Sequence, residues 1–453
     1  MGVNTFGGMR IPEVRSASVL HPHPHSRFTR VGRSLVVLAG RSVRFVARLR
    51  GGGSALPGLV VERLSPHFVR NALAELPEGV ILVSGTNGKT TTTKILVELL
   101  RSQGLRVFTN PSGSNFSRGI ASALLGAVSL DGRLEADIAV LELDEAHGAR
   151  FVREVPPRYA VLLNVHRDQL DRFAEIDSTA RFLTEIADAT RGALILNRED
   201  VRIASIARGL PGAKVRYFGL CGHLLGELPT DDDLHGAAGP LRSGPPADVL
   251  LTDYRGSVAT FQVGGRRIDA PLRLPATYNA YNAAAALTAV RAVRHDELDV
   301  PALVEALTAV TPAFGRGEVL IVDGSPLELV LVKNPVGFRL GLASFTARGY
   351  ATMIAVNDND ADGRDMSWLW DVPFGSLRSD GVAVVCGTRA HEMALRLQYD
   401  GVAVGQIEPD IPSALRSFRD GYRGAPKRIF CTYTAMLALR RAVAEDARSV
   451  LAA

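Results

Sequence analysis

A short apolar run that leads directly into a glycine-rich loop constrains the fold of this chain more than any other feature. Residues 79–84 (Gly-Val-Ile-Leu-Val-Ser) have the continuous apolar pattern of a strand buried on both faces. The loop Gly85-Thr-Asn-Gly-Lys-Thr90 follows, and beyond it apolar residues recur at helical spacing, at Ile95, Leu96, Leu99 and Leu100. A buried strand, a glycine-rich loop and a helix in this order predict a phosphate-binding loop.

The loop contains the groups that hold the phosphates of a nucleotide. Its two glycines let the backbone approach an anion, and the start of the helix directs N–H groups and partial positive charge at it. Lys89 is expected to contact the terminal phosphates, and Thr90 to ligate Mg²⁺. The spacing differs from the usual Gly-x-x-x-x-Gly-Lys-Ser/Thr, because Val83 occupies the first glycine position. We predict nucleotide contacts from Gly85, Thr86, Asn87, Gly88, Lys89, Thr90 and Thr91.

Strand-like runs alternate with helix-like stretches from about residue 56 onward. This alternation predicts an α/β protein with mostly parallel sheets. We expect an N-terminal extension (1–54), a nucleotide-binding domain (55–312) and a C-terminal Rossmann-like α/β domain (313–453). Residues 220–275 are rich in Gly, Pro and Asp and are expected to form an insertion of short antiparallel strands and loops. The other candidate strands are 105–109, 138–143, 159–164, 193–197, 215–219, 249–252, 327–332, 352–356, 381–386 and 428–432.

The positive charge of the chain is concentrated at its N-terminal end. The net charge is +5, but residues 1–60 contain nine Arg and one acid, Glu13, so they carry +8 and the remainder carries −3. Residues 1–33 show no apolar periodicity and are expected to be disordered, whereas 34–50 can form a basic amphipathic helix. Such a helix suits an anionic membrane surface, and packing on the domain with solvated Arg is the alternative. No nucleic-acid partner is expected.

Cysteine usage and hydropathy narrow the class of protein further. Cys221, Cys386 and Cys431 are too few and too widely spaced for a disulfide scaffold or a four-cysteine zinc ribbon. No stretch approaches the roughly 18 to 20 apolar residues that are needed to cross a bilayer. We therefore expect a soluble, cytoplasmic protein, one that works at the inner face of the membrane if the basic helix binds there.

Several motifs resemble those of a known enzyme family. Gly85-Thr-Asn-Gly-Lys-Thr-Thr-Thr92 is similar to the ATP loop of the Mur ligase family, whose members phosphorylate a carboxylate with ATP and let an amine displace the phosphate. Over roughly residues 55–440 the order of motifs resembles the MurT-type branch, the ligase subunits of lipid II isoglutaminyl synthases. The motifs are Asn110-Pro-Ser-Gly-Ser-Asn115, Arg118-Gly-Ile, Glu142-Leu-Asp-Glu145, Asn164, Arg167-Asp-Gln-Leu-Asp-Arg-Phe173, Tyr278-Asn-Ala-Tyr-Asn282, Phe314-Gly-Arg-Gly-Glu318, Leu331-Val-Lys-Asn-Pro335, Asn357-Asp-Asn-Asp-Ala-Asp-Gly-Arg-Asp365 and Thr432-Tyr-Thr-Ala-Met436.

The resemblance implies a specific reaction. ATP would activate the α-carboxyl of D-Glu in the stem peptide of lipid II as an acyl phosphate, and ammonia would convert it to D-isoglutamine. The ammonia would come from a GatD-type glutaminase that forms a heterodimer with this chain. Lys89 would be catalytic because it neutralises phosphate charge, and Glu142 would be catalytic as a second Mg²⁺ ligand beside Thr90. Asp144 and Glu145 are weaker candidates.

The resemblance also implies contacts to the remainder of the nucleotide. Asn279 and Asn282 match positions at which Mur-type ligases contact adenine, since an amide can contact both its donor and its acceptor edge. N-capping of a helix at 283–290 is the alternative, and it suits Asn282 about as well. Arg316 would contact the nucleotide at the domain junction. For Lys333, a phosphate or substrate contact competes with a plain structural turn.

An acidic cluster in the C-terminal half, from Asp358 to Asp365, is a candidate for a role in the active site of the glutaminase partner. Its start resembles a calcium loop, but position twelve counted from Asp358 is Leu369 instead of the required Glu, so a calcium site is not expected. In MurT-type proteins an Asp of this segment is thought to complete a Cys–His pair on the glutaminase, where a carboxylate would orient the His. We choose Asp365 for this catalytic role, with Asp358 and Asp362 as the alternatives.

The chain departs from the MurT pattern in the insertion. Only Cys221-Gly-His223 remains of a zinc ribbon that many such proteins carry, so no structural zinc is expected. The absence of a UDP-sugar-binding domain favours a lipid-linked substrate. Two other functions stay open: a stand-alone amide ligase of the folylpolyglutamate type that uses an amino acid, and a non-catalytic scaffold for a glutaminase.

Overall fold

Two open sheets with helices packed against them form the framework of the molecule. The computed structural model describes residues 30–49, 55–110, 117–167, 176–228, 244–312, 316–345 and 348–452. Nine strands build the first sheet and six build the second, and most neighbours in both sheets are parallel. This architecture confirms the fold class that the strand–helix alternation predicts.

The first sheet has the strand order β2-β3-β1-β4-β5-β6-β7-β8-β9. Strands β2 to β7 are parallel, and β8 and β9 add an antiparallel meander at one edge. The parallel strands β1, β3, β4 and β5 are buried along their whole length, as their apolar runs predict. The strands are β1 (Val80–Ser84), β2 (Val107–Thr109), β3 (Ile138–Glu142), β4 (Tyr159–Leu162), β5 (Ala193–Asn197), β6 (Lys214–Leu220), β7 (Val249–Arg255), β8 (Val258–Val263) and β9 (Arg266–Pro271).

The segment expected as an insertion is continuous with this sheet. Strand β7 pairs in parallel with β6, and β8 and β9 extend the same sheet, so 220–275 is not a separate unit in its described part. Leu251, Phe261 and Ile268 join the main hydrophobic core. Apolar burial therefore holds these strands. Residues 229–243 lie outside the described residues.

The helices of the first half cover both faces of the first sheet. Helix α9 is rich in alanine, and its buried residues from Ala283 to Ala286 let it pack closely against the sheet and against α4. As a result α4 and α9 both begin at the edge where β1 ends. The helices are α1 (Arg30–Leu49), α2 (Ala55–Leu64), α3 (Phe68–Ala74), α4 (Lys89–Ser102), α5 (Ser117–Ala127), α6 (Glu145–Glu154), α7 (Ile176–Ala189), α8 (Val201–Ile206), α9 (Thr277–Val293) and α10 (Val300–Ala309).

The second sheet has the order β10-β11-β15-β12-β13-β14, and only the β10–β11 hairpin is antiparallel. Hydrophobic clusters lie on both of its faces. Its elements are β10 (Arg316–Val322), β11 (Ser325–Leu331), α11 (Pro335–Ser344), β12 (Ala351–Ala355), a 3₁₀ turn (Ser367–Asp371), a 3₁₀ turn (Gly375–Leu377), β13 (Val382–Cys386), α12 (Ala390–Tyr399), β14 (Val404–Glu408), α13 (Ile411–Gly421), β15 (Lys427–Cys431) and α14 (Tyr433–Ala452).

The N-terminal helix α1 packs on α2 and α5. The Arg41 guanidinium donates hydrogen bonds to the carbonyl oxygens of Leu125 (3.3 Å) and Val128 (2.5 Å). The helix expected at 34–50 therefore forms, from Arg30 to Leu49, and lies on the domain. The prediction that residues 1–33 are disordered is wrong for 30–33, which are helical, and residues 1–29 lie outside the described residues. Among the described residues, none of the helices has the length and apolar character required to cross a membrane.

Candidate active site

The glycine-rich loop connects β1 to α4 at the carboxyl end of the first sheet. Gly85 (φ +129°) and Gly88 (φ +87°) both have the positive φ that non-glycine residues rarely adopt. A side chain at Gly88 would also collide with Oδ1 of Asn282, which lies over the loop. Glycine is therefore required at position 88 by both backbone conformation and space.

The ammonium group of Lys89 lies in the centre of this loop. Its Nζ donates to the carbonyl oxygens of Gly85 (2.5 Å) and Thr86 (3.3 Å), and it lies 3.7 Å from Oε2 of Glu145. Both Lys89 and Glu145 are buried. A buried cation among carbonyl oxygens at a helix start is the arrangement that can contact the terminal phosphates of a nucleotide.

A hydroxyl and a carboxylate lie together beside the loop. Thr90 Oγ1 donates to Glu142 Oε1 at 2.8 Å. Two bonds fix Glu142, because its N–H donates to Asn110 Oδ1 (2.9 Å) and its carbonyl accepts from Asn110 Nδ2 (3.1 Å). Hydroxyl and carboxylate oxygens are the ligands that Mg²⁺ prefers, so this pair fits the cation that accompanies a nucleotide.

The two other acids after β3 have structural partners. Asp144 caps α6 by accepting from the N–H of His147 (2.8 Å), and its Oδ1 also lies 2.8 Å from Nδ1 of His147. Burial alone would raise the pKa of Asp144, but the hydrogen bonds from His147 outweigh it and hold this pKa below its ordinary value. Glu145 accepts from the Thr86 hydroxyl at 3.3 Å.

The two asparagines assigned to adenine lie inside α9. This helix begins at Thr277 and its N-cap, Ala276, makes no side-chain bond, so the alternative that Asn282 caps a helix at 283–290 is wrong. Asn279 Nδ2 donates to the Pro275 carbonyl (2.5 Å), while its buried Oδ1 has no partner. A buried acceptor without a donor is unusual, because leaving it unpaired costs about 1–3 kcal/mol.

The second sheet contributes residues directly to the loop. Lys333 Nζ donates to the Thr86 carbonyl at 3.1 Å. The amides of Asn87 and Asn334 exchange two hydrogen bonds, at 3.3 and 2.9 Å, and Asn334 Oδ1 also caps α11 by accepting from the Gly337 N–H (2.7 Å). We call the Asn87–Asn334 pair the amide clasp. The competing interpretation of Lys333 as part of a plain turn is therefore incomplete, since its side chain reaches the phosphate loop.

A cleft of about 1070 Å³, part of it open to solvent, lies between the two sheets at this point. It passes the loop at Asn87 and Gly88 and reaches Asn282 on one side and Lys333 on the other. Of the other residues predicted to contact the nucleotide, Asn279 does not line the cleft. Arg316 begins β10, and its side chain lies outside the described residues.

Sequence reasoning missed a polar group on the floor of this cleft. Asn197 ends β5, Glu199 and Asp200 follow it, and all three are buried and line the cleft. Tyr281 donates from its hydroxyl to Asn197 Oδ1 (2.5 Å), and burial followed by the charge of Glu199 raises the pKa of Tyr281 well above its ordinary value. The sequence signal that could have predicted these cleft residues is the run of polar residues at the carboxyl end of a predicted parallel strand, where ligands commonly bind.

The acidic cluster lies after β12 and does not line the cleft. Asp358 accepts from the Thr388 hydroxyl (2.7 Å) and from Arg389 Nε (3.0 Å), and Asp360 forms an exposed pair with Arg364. The contact of Asp360 is local, whereas Asp358 ties the segment after β12 to the segment after β13; both acids have structural partners.

Asp362 and Asp365 have opposite environments. Asp362 is buried against the hydroxyl and N–H of Thr434, and burial raises its pKa in spite of these bonds. Asp365 is half-buried, and hydrogen bonds from Ser367 hold its pKa below the ordinary value. Five residues further on, Trp370 is exposed and meets the exposed ring of Tyr399 edge to face at 5.3 Å. Of these acids, Asp365 is the one that is nearest in sequence to this exposed aromatic pair.

A phosphate loop at the first sheet, closed by residues of a second parallel sheet, defines an ATP-ligase architecture, and comparison with known proteins identifies it. Residues 83–290 match the Mur ligase middle domain, and residues 331–436 match the MurT ligase C-terminal domain. The chain has the Mur ligase fold: it superposes on the MurF ligase of Thermotoga maritima in complex with ADP with a TM-score of 0.62, 18% identity and coverage of 84% and 83% of the two chains. It also superposes on the folylpolyglutamate synthase of Mycobacterium tuberculosis complexed with ADP, with a TM-score of 0.60, 17% identity and coverage of 93% of this chain and 99% of that chain.

Within the Mur ligases the chain belongs to the MurT family. It is 31% identical over 445 residues to the MurT subunit of the lipid II isoglutaminyl synthase (glutamine-hydrolyzing) of Streptococcus pneumoniae, which covers 91% of this chain and 97% of that protein. The corresponding subunit of Staphylococcus aureus strain COL is 30% identical over 420 residues, 86% and 92% of the two chains. The family resemblance seen in the motifs is thus confirmed.

Proposed function

We propose that this chain is the ATP-dependent ligase subunit of a lipid II isoglutaminyl synthase. It amidates the α-carboxyl of D-Glu in the stem peptide of lipid II, by way of an acyl phosphate, with ammonia released by a GatD-type glutaminase. The observation that carries the proposal is the buried Lys89 in its glycine loop beside the Thr90–Glu142 pair, in a chain similar to MurT subunits over nearly its whole length.

The residues present fit Mg-ATP. The backbone of residues 85–91, the Lys89 ammonium and the start of α4 offer positive charge and N–H donors to the phosphates, while Thr90 and Glu142 offer oxygens to the cation. Bound Mg-ATP supplies the phosphoryl group that turns the carboxylate into a displaceable acyl phosphate. The amide of Asn282, which lines the cleft beside Gly88, suits the donor and acceptor edge of adenine. Asn279, whose buried side chain does not line the cleft, and Arg316 are assigned to the nucleotide from the family resemblance alone.

The chain's own residues act by position and charge. Phosphoryl transfer asks for alignment and charge neutralisation more than for covalent help. Lys89 and Lys333 both donate to the carbonyl oxygen of Thr86, so their ammonium groups lie close together. Both can stabilise the negative charge that develops on the transferred phosphoryl group. The amide clasp holds the second sheet over the loop.

Ammonia reaches this site from a partner. Cys386 and Cys431 are buried in strands, and burial raises the pKa of Cys386 to about 12 and that of Cys431 further, so neither thiol is available as a glutaminase nucleophile. Asp365, a half-buried carboxylate five positions before the exposed Trp370, is the acid that orients the partner's catalytic His. A lipid-linked acceptor and cytoplasmic ATP make the inner face of the membrane the place of reaction.

A reconstitution tests the proposal. Purified chain and a GatD-type partner, given lipid II, ATP and glutamine, should form amidated lipid II and ADP in equal amounts, measured by mass spectrometry and coupled ADP release. The chain alone should use ammonium chloride but not glutamine. Consumption of a free amino acid by the chain alone would instead establish a stand-alone ligase, and glutaminase binding without any ATP turnover would establish a scaffold.

A further inference from the structure

Helix α1 turns a stripe of apolar side chains outward. Leu35, Leu38 and Phe45 are 63%, 50% and 65% exposed. They are separated by three and seven residues, so they lie on one side of the helix. Ala39 and Ser42, which are exposed on the same side, complete the stripe. A scattered apolar residue needs no explanation, but a continuous outward stripe of this kind does.

The opposite side of α1 is fixed to the protein. Val37 and Gly40 are buried, and a Cβ on Gly40 would come within 2.7 Å of Val61 and 2.8 Å of Leu125. Arg41 adds its two hydrogen bonds to the carbonyl oxygens of Leu125 and of the residue that follows α5. The helix is therefore seated closely on α2 and α5, and its apolar stripe cannot turn inward without breaking this packing.

Neighbouring elements enlarge the apolar surface. Leu64 at the end of α2 and Leu130 in the turn after α5 are 50% and 54% exposed. A small cavity lined by α1, by Ser65 and Phe68 and by Gly132 connects the helix to both places. We call Leu35, Leu38, Phe45, Leu64 and Leu130 the docking face. Exposed Arg63, Arg70 and Arg133 lie in the same elements or close to them.

Charge indicates what covers this face. Helix α1 contains five Arg and no acid, and residues 1–60 carry +8 while the rest of the chain carries −3. Arg41 faces the protein, so the described positive charge beside the face comes from the exposed Arg63 and Arg70. The complement of an apolar face in a basic segment is a surface that is apolar inside and negatively charged outside. An anionic lipid bilayer has both properties.

We propose that the docking face binds an anionic lipid surface, with its apolar side chains in the headgroup layer and the exposed Arg63 and Arg70 at the lipid phosphates. The inference rests on the proposed function in one respect: the proposed function explains why lipid binding would be useful, since it would hold the enzyme where a lipid-linked acceptor lies. Binding itself requires no ATP, no glutaminase and no acceptor.

Vesicle co-sedimentation of the full chain tests it. The wild type should bind vesicles of phosphatidylglycerol and phosphatidylcholine, bind pure phosphatidylcholine weakly, and be released by raised salt, since salt screens the charges. The variant Leu35→Ser/Leu38→Ser/Phe45→Ser should lose about tenfold or more in partition coefficient. The matched control Val319→Ser/Ile321→Ser, which removes exposed apolar residues from β10, should bind as the wild type does.

A second variant covers the case in which the triple variant fails to fold. The tryptophan fluorescence of Phe45→Trp should be quenched by brominated lipid in anionic vesicles to a greater extent than that of the wild type, whose tryptophans are Trp368 and Trp370. Equal binding of triple variant and wild type, or equal quenching of Phe45→Trp and wild type, would overturn the proposal. A change from dimer to monomer in the triple variant with unaltered vesicle binding would also overturn it. Because these assays contain no substrate, loss of ligase activity would not affect their result, nor would absent binding affect the ligase proposal.

Discussion

Two polar segments follow strands of this protein at their carboxyl ends, and they are built differently. The phosphate loop after β1 is buried or half-buried throughout. Lys89 bonds to the carbonyl oxygens of its own loop, and Asn87 ties the loop to Asn334 on the second sheet. The acidic segment after β12 ends in Asp365, which is half-buried and bonded to its own turn at Ser367.

The difference corresponds to where each site is completed. A group that must act on charge developing inside the protein needs a fixed, water-poor environment, because preorganised dipoles stabilise charge only when they do not have to move. A carboxylate that serves another chain must instead remain accessible until that chain binds. We infer that the first segment acts on its own and that the second is one half of a shared site.

The largest expected loss of activity follows from substitution of Lys89. Lys89→Ala removes the buried ammonium that faces the phosphates, so ADP release should fall about a hundredfold or more with ammonia or with glutamine as nitrogen source. The measurement is steady-state ADP formation in the presence of lipid II and the partner. The matched control Lys214→Ala changes an exposed lysine at the start of β6 and should leave the rate unaltered. Amidation at the normal rate in Lys89→Ala would contradict the role of the loop.

The next largest effect, a selective loss of glutamine-driven activity, distinguishes the acidic segment from the phosphate loop. Asp365→Asn should reduce glutamine-driven amidation by about a hundredfold or more, because an amide cannot stabilise an imidazolium on the partner, and should leave ammonia-driven amidation intact. The comparison of both nitrogen sources on the same preparation is the measurement. Asp360→Asn, at an exposed acid paired only with Arg364 among the described residues, is the control and should retain both activities. An equal loss of both activities in Asp365→Asn would move Asp365 into the ligase site.

A smaller effect is expected at the amide clasp. Asn87→Ala removes both bonds to Asn334 but leaves the Asn334–Gly337 cap, so it should weaken ATP binding about fivefold, the equivalent of about 1 kcal/mol. Calorimetric titration with ATP measures this. In the Asn334→Ala background the Asn87 change should have little further effect. Additive losses would show that the two amides act independently.

The fold was predictable because its strands are unusual segments of sequence. Buried parallel strands such as β3 and β5 are unbroken apolar runs, and the strands predicted for the second half from 327, 352, 381 and 428 all form. The prediction missed β10 and β14, the two edge strands of the second sheet. Strand β14 has no continuous apolar run, whereas β10 does contain one, Val319-Leu-Ile-Val322, which the prediction overlooked. The register that joins β7 to β6 is a long-range pairing with no local signal in 220–275.

The candidate site was predictable only where one short motif holds it. Residues 85–91 are contiguous, so their pattern is visible in the chain. The amide clasp joins residues 247 positions apart, and the Asn197–Tyr281 bond spans 84, so neither could be derived from spacing. The family resemblance pointed to Asn279 and Asn282, whereas the partnerless Oδ1 of Asn279 emerges only from the packing of α9.

The smallest effect concerns Asp358, the other acid considered for the partner's site. Hydrogen bonds from the Thr388 hydroxyl and the charge of Arg389 hold the pKa of Asp358 below its ordinary value. A carboxyl with a lowered pKa in the folded state adds stability above its unfolded pKa and loses it as pH falls through the folded pKa. Asp358→Asn should therefore cost about 0.5 kcal/mol at pH 7, a small value because the ion pair is partly exposed, and nothing near pH 2. Thermal unfolding at the two pH values measures this, and full glutamine-driven activity in Asp358→Asn would leave Asp365 as the acid that the partner uses.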